Sequence, residues 1–231
     1  MASQFESSDA ALELLSVSMR YRRAPFLAHG PEVLRRVSLS LRVGEIVAVR
    51  GANGSGKTTL LKISAGAVEP SAGHVRVFGA RPGAGGVPLG FAGGGHLGLF
   101  PALSARRNLE LFASLHSRSG AETSRRIQEL SARLGMALFL DVAAAQLSSG
   151  MAARVNLARA LIGSPRLILL DEPTRSLDKD HANAVRLYLR DLAEQGADIL
   201  FTTHSEADVE ATRARSVGLH DGLLTEETDG E

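Results

Sequence analysis

Nine residues, Gly51-Ala52-Asn53-Gly54-Ser55-Gly56-Lys57-Thr58-Thr59, constrain what this chain folds into more than any other segment. They fit the pattern G-x-x-x-x-G-K-[ST], in which a glycine-rich turn joins a strand to a helix and wraps phosphate. The glycines let backbone N–H groups turn inward and approach phosphate oxygens with no side chain in the way. A helix opening near Lys57 points its positive end at the same phosphates. Lys57 then offers a point charge to the β- and γ-phosphates of a nucleoside triphosphate, and Thr58 offers a hydroxyl to Mg²⁺. The flanks agree with this reading: residues 45–49 form a short apolar run of strand length, and residues 57–65 continue as a helix.

A second motif of the same chemistry follows at Leu167-Ile168-Leu169-Leu170-Asp171-Glu172-Pro173. An apolar strand here ends in two consecutive carboxylates. A parallel strand delivers its last residue to the carboxyl edge of the sheet, where ligands of such sheets bind. Asp171 is expected to hold Mg²⁺ through water. Glu172 is expected to orient or activate the attacking water.

Between and around these motifs, residues 12–18 and 33–41 read as strands of an early antiparallel region, and residues 75–78 as another strand. Eight glycines lie between positions 79 and 95, so that stretch reads as a long flexible connection. Helical periodicity runs from about 105 to 140, with Leu109, Leu111, Phe112 and Leu115 as a core face, and again from 150 to 162. Strand 166–170, helix 178–194, strand 199–203 and a small strand near Val217 complete the chain. Strand–helix alternation at both ends predicts an α/β fold. The expected architecture is a P-loop NTPase core, a mostly parallel sheet with an antiparallel β edge, over residues 12–93 and 162–224, plus a helical subdomain inserted at about 94–161.

Composition removes other classes. Hydrophobic residues make up 44% of the 231, enough for a core, but aromatics are 4% with no Trp. A net charge of +1 and so few rings argue against nucleic-acid binding. The absence of Cys rules out disulfides, iron–sulfur clusters and thiolate metal sites. No apolar run approaches the roughly 20 residues of a membrane helix, and the polar, acid-bearing first ten residues do not resemble a signal peptide. A soluble, cytoplasmic protein is expected. Only three of its 26 basic residues are lysines, Lys57, Lys62 and Lys179, which fits a codon bias toward Arg.

The segment Leu147-Ser148-Ser149-Gly150-Met151, ahead of a helix and then the Asp171-Glu172 strand, resembles the signature of ABC ATPases, usually Leu-Ser-Gly-Gly-Gln. Further matches lie in the family's order. Ser176-Leu177-Asp178 resembles its D-loop, Thr202-Thr203-His204 its switch histidine, and Tyr21 the aromatic that stacks on adenine. The resemblance covers about residues 12–224. It implies that ATP is bound by Tyr21, Gly51, Asn53, Gly54, Ser55, Gly56, Lys57, Thr58, Thr59, Ser148, Ser149, Gly150 and Asp178. Mg²⁺ is implied at Thr58 and Asp171, and catalysis at Glu172 and His204. In the family the signature meets the γ-phosphate held by another subunit, so two sites form at a dimer interface. Ser148 is a good N-cap for the helix that follows it, and a helix end with free N–H groups is an anion site.

Two departures stand out. Ser149 replaces the usual Gly and Met151 the usual Gln; Ser149 either donates a hydrogen bond or crowds the phosphate. Such a signature resembles that of some ATPases serving polysaccharide-type exporters. The family also places a Gln after a strand in the connecting loop, where it touches Mg²⁺ and couples to the membrane partner. Counted back from Phe100-Pro101-Ala102-Leu103-Ser104, that position falls on Gly95, beside His96. Either His96 substitutes or the site lacks that ligand.

The resemblance implies an ATP-hydrolysing subunit, peripheral on the cytoplasmic face of the membrane. It would pair with a second ABC ATPase subunit, the same chain or another, and drive a separate membrane permease, with export favoured over import. The chain is also expected to lack the C-terminal regulatory domain that many importer ATPases carry. A soluble ABC ATPase without a transporter, such as one for iron–sulfur assembly, and a haem-export or cytochrome-maturation subunit stay open at this level.

Overall fold

The structure, a computed structural model, describes residues 10–21, 30–84, 88–93, 98–116 and 119–226. Strands β1 (Ala10–Arg20), β2 (Glu32–Arg42) and β4 (Ala72–Val77) form an antiparallel sheet in the order β2-β1-β4. The parallel core is a separate sheet of six strands. Its members are β3 (Ile46–Arg50), β5 (Leu89–Ala92), β6 (Leu167–Asp171), β7 (Asp198–Thr203), β8 (Arg215–His220) and β9 (Leu223–Glu226). They run in the order β5-β6-β7-β3-β8-β9, and β9 alone is antiparallel to its neighbour.

The central strands are buried on both faces, which is why they read as continuous apolar runs rather than as alternating patterns. Their period of two still decides where each side chain goes. Ile46, Ala48, Ile168, Leu170, Ile199 and Phe201 face one layer of helices. That layer comprises α2 (Ala105–Ser114), α3 (Gly120–Arg133), α4 (Ser149–Leu161) and α5 (Lys179–Glu194). Val47, Val49, Leu167, Leu169 and Leu200 face the other way, onto α1 (Lys57–Ser64) and the antiparallel sheet. The core is therefore a three-layer sandwich, with the strand ends carrying Arg50, Asp171 and Thr203 side by side through the pairs Arg50–Thr203 and Asp171–Thr202.

The periodic stretch 105–140 is two helices rather than one. Ser119 forms a capping box with Glu122, its Oγ accepting the Glu122 N–H while its own N–H donates to the Glu122 carboxylate, and this starts α3 afresh. The glycine-dense stretch 79–95, expected as loop alone, contains β5. Gly90 lies in that strand because α4 crosses it closely: a Cβ there would strike the Ala160 carbonyl. Arg159 of α4 ties the same strand down by donating to the Phe91 carbonyl at 3.0 Å. Two elements, α6 (Glu206–Thr212) and β9, are additional to the sequence reading.

Candidate functional site

The N-terminus of α1 differs from those of the other long helices. Helices α2, α3, α4 and α5 each begin with a Ser or Asp side chain that accepts a first-turn N–H. Helix α1 begins at Gly56, whose φ of 110° excludes most other residues, and no side chain among the described residues caps it. Its first-turn N–H groups are left for an anion. The Lys57 ammonium curls back over the turn, donating to the carbonyls of Gly51 at 2.6 Å and Ala52 at 3.0 Å. Ser55 Oγ is buried beside it with no hydrogen-bond partner among the described residues.

The end of β6 meets this turn. Thr58 Oγ1 donates to Asp171 Oδ2 at 2.7 Å, and Thr202 Oγ1, on the neighbouring strand β7, donates to Asp171 Oδ1 at 2.7 Å. Glu172 follows with φ of 49°, a left-handed conformation for a residue that is not glycine. Its N–H is held by the carbonyl and hydroxyl of Thr202, each at 3.1 Å. Three nitrogen-bearing side chains surround its carboxylate. Lys57 Nζ stands 3.8 Å from Oε1, while Arg175 Nη1 stands 2.8 Å and His204 Nδ1 3.8 Å from Oε2. A cavity of about 390 Å³ opens over these groups, lined by Asn53, Gly54, Gly56, Lys57, Thr58, Thr59, Asp171 and Glu172 among others. Glu172 also lines a neighbouring cavity of about 220 Å³ that contains His204.

Most of the residues singled out from the sequence are thus brought together. Tyr21 joins them from β1's end: its hydroxyl is 3.2 Å from Thr59 Oγ1, and 42% of the residue is exposed. Ser148, Ser149, Gly150 and Asp178 are not part of the cavity lining. Ser148 Oγ accepts the Met151 N–H at 3.2 Å and caps α4, which starts at Ser149. A hydroxyl is both acceptor and donor, so capping the helix leaves Ser148 a proton it can still donate. Gly150 packs on the Ser176 carbonyl, where a Cβ would come within 2.7 Å. Asp178 caps α5, and the His181 N–H, then the His181 ring, hold its carboxyl below the usual carboxylate range. Gly95 and His96 lie outside the described residues.

Three residues near the site have no role in the sequence reading: Thr202, Arg175 and Asp208. Thr202 was visible only as a flank of His204. Asp208, 1% exposed, lies under the histidine's turn. Its Oδ2 accepts hydroxyl protons from Thr174 and Thr203, and its Oδ1 accepts from Arg186 Nε at 2.7 Å. It thereby joins the ends of β6 and β7 to α5. Removing one partner of a buried ion pair leaves the other charge stranded, so Asp208→Ala should destabilise the fold by about 3–5 kcal/mol. Urea denaturation checks this, and a loss below about 1 kcal/mol would mean that the network does not brace the turn.

The sequence model of the family described as ABC transporter matches residues 34–175, spanning the glycine-rich turn, α4 and the two carboxylates. The chain belongs to this family. It is 36% identical over 195 residues to the ABC transporter ATP-binding protein NatA of Bacillus subtilis, an alignment covering 83% of this chain and 79% of that protein. It is 32% identical to the lipoprotein-releasing system ATP-binding protein LolD of Chromohalobacter salexigens, with 96% of each chain covered. It is 37% identical to the macrolide export ATP-binding/permease protein MacB of Chromobacterium violaceum, covering 94% of this chain and spanning about a third, 34%, of that longer relative. Among solved structures, the dimeric ATP-binding cassette MJ0796 in a post-hydrolysis state with ADP and Pi superposes with a TM-score of 0.82 at 28% identity, covering 92% of this chain and 96% of that one. The chain is therefore an ATP-binding cassette of the transporter type and an ATPase. No helix among the described residues is long and apolar enough to cross a membrane.

Proposed function

We propose that two copies of this chain close on two ATP molecules, hydrolyse them at their shared interface, and so drive a separate membrane permease on the cytoplasmic face, in the direction of export. The observation that carries this reading is the division of the site. The phosphate turn, both carboxylates and His204 surround one pair of cavities, while Ser148, Ser149 and Gly150 at the start of α4 lie outside their lining on the same chain, and α4 borders the phosphate cavity only farther along, at Ala153. An anion-seeking helix end and a half-open phosphate cavity complete each other when a second copy turns the first copy's α4 toward it. We take the core as residues 12–93 and 162–224 and the helical lobe as 94–161, the lobe carrying α4 to the partner. The named relatives serve transport, including export, which favours this over a soluble iron–sulfur assembly role or a haem-export role.

In this scheme the N–H groups of Gly54 to Thr59 and the Lys57 ammonium bind the β- and γ-phosphates, and Tyr21 lies against adenine. Thr58 and Asp171 are the residues that would hold Mg²⁺. Their donor set fits: both supply hard oxygens, and Thr58 Oγ1 and Asp171 Oδ2 already stand 2.7 Å apart beside the phosphate cavity. When bound, the ion neutralises charge on the β- and γ-phosphate oxygens. Glu172 takes a proton from water as the water oxygen attacks the γ-phosphorus. The bond to the β–γ bridging oxygen breaks, and ADP and inorganic phosphate result. His204 holds the water or the γ-phosphate from the opposite side. Ser148, with the free N–H groups beside it, donates to the γ-phosphate of the partner's ATP, and Asp178 lines the seam between the copies.

Shared sites make a specific prediction. A Lys57→Ala chain lacks phosphate binding but keeps its Ser148 helix end, and a Ser148→Arg chain is the reverse. Each alone should be inactive, and an equimolar mixture should release phosphate clearly faster than either parent, because mixed dimers retain one whole site. A mixture no faster than its parents would overturn the sharing of sites between copies.

A further inference from the structure

We infer that Arg175 is a positioning residue that latches the Glu172 carboxylate and restrains hydrolysis until the two copies close. The inference rests on Glu172 as the group that takes the proton from water. The backbone of Glu172 is already fixed by Thr202, so the direction of its carboxylate is decided by the side chains around it. Of these, Lys57 and His204 stand at 3.8 Å, beyond hydrogen-bond distance. Among the described residues Arg175 is the one that closes a charge-assisted hydrogen bond, at 2.8 Å, and it does so on Oε2, the oxygen that faces His204. Water poised between Glu172 and His204 needs a lone pair on that same oxygen. The guanidinium leaves that oxygen a second lone pair but draws charge from it, so Oε2 is a weaker base toward the reacting water while the bond is closed.

The placement of Arg175 suits a contact that is made and broken. Its side chain is 56% exposed against 11% for Glu172, so the cation covers the carboxylate from the solvent side. It lines both the phosphate cavity and the cavity that holds His204. It also opens the segment Ser176-Leu177-Asp178, on whose first carbonyl Gly150 of α4 rests. A shift of α4 against the core, as the copies close, is transmitted to Ser176 and from there to the residue before it. Opening the latch at that moment frees Oε2 only in the assembled dimer. This ties turnover to assembly.

The test measures steady-state phosphate release by the full chain at saturating Mg-ATP, at low and at moderate salt. A half-exposed ion pair is weak, so Arg175→Ala should raise kcat modestly, about two- to fivefold, with KM for ATP and the melting temperature unchanged. Salt should accelerate the parent and leave Arg175→Ala unaffected, because screening loosens the same contact the substitution removes. Arg175→Lys, which keeps the charge without the planar fork, should fall between them. Arg175→Gln reports the same result should the alanine variant fold poorly. An unchanged or lowered kcat in the folded variants, or an undiminished salt response, overturns the latch. Glu172→Gln run alongside separates the two readings. If it is inactive while Arg175→Ala is not accelerated, only the latch falls; if it turns over at the parent rate, the assignment of Glu172 falls.

Discussion

A folded Lys57→Ala protein should release no measurable phosphate from ATP and bind the nucleotide weakly. Lys57 is 5% exposed and its ammonium is held by the carbonyls of Gly51 and Ala52 above the turn, so it is delivered to the phosphates without a search through rotamers. The substitution removes a positive group aimed at charge that develops in the transition state. Loss of one such donor typically costs about 2.7–4 kcal/mol, or a hundred- to a thousandfold in rate. Here the same group also holds the ground-state triphosphate, so affinity falls as well. The fold should survive, because Lys57 borders a cavity rather than filling the apolar core. Phosphate release, fluorescent-nucleotide titration and a thermal melt on one preparation check all three points. Near-normal turnover in a folded variant would contradict the role given to the glycine-rich turn.

The second large effect is expected at Glu172. Glu172→Gln keeps length, planarity and hydrogen bonding but removes the negative charge that receives the proton. General-base contributions run to about a hundred- to ten-thousandfold, and turnover should fall by that order while ATP affinity stays near the parent value. The contrast with Lys57→Ala is diagnostic, since one loses binding and chemistry together and the other loses chemistry alone. Single-turnover assays with labelled ATP separate the two. A Glu172→Gln protein that hydrolyses at the parent rate would move the proton acceptor elsewhere, and His204, at 3.8 Å, is next in line.

The phosphate turn and the Asp171-Glu172 pair were legible in the sequence because each needs particular residue types at fixed spacing next to a strand. The structure then brings Thr58, Lys57, Asp171 and Glu172 within a few ångströms, although more than a hundred positions separate the two segments in the chain. The parallel core was legible for a related reason. Strands buried on both faces are short apolar runs, and β3, β6 and β7 are such runs. Strand β5 was hidden because the glycine that admits α4 also reads as loop. The break between α2 and α3 was obscured by helical periodicity that continues across it, while the Ser119–Glu122 capping box marks a new start. Arg175 and Asp208 could not be found by pattern. Their significance comes from partners on other elements: Thr203 and Arg186 for Asp208, and for Arg175 the two cavities it borders. Asp208 otherwise reads as an ordinary polar residue of a short helix.

The central claim is that ATP itself brings two copies together, each completing the other's site. The most direct measurement is the mass of the Glu172→Gln chain by light scattering after size exclusion, with and without Mg-ATP. Since this variant should hold ATP without consuming it, the closed state should accumulate. The 24.4 kDa chain is expected to run as a monomer without nucleotide and at twice that mass with Mg-ATP, and to revert when ADP replaces ATP. A protein that binds ATP yet keeps the monomer mass throughout would contradict the account.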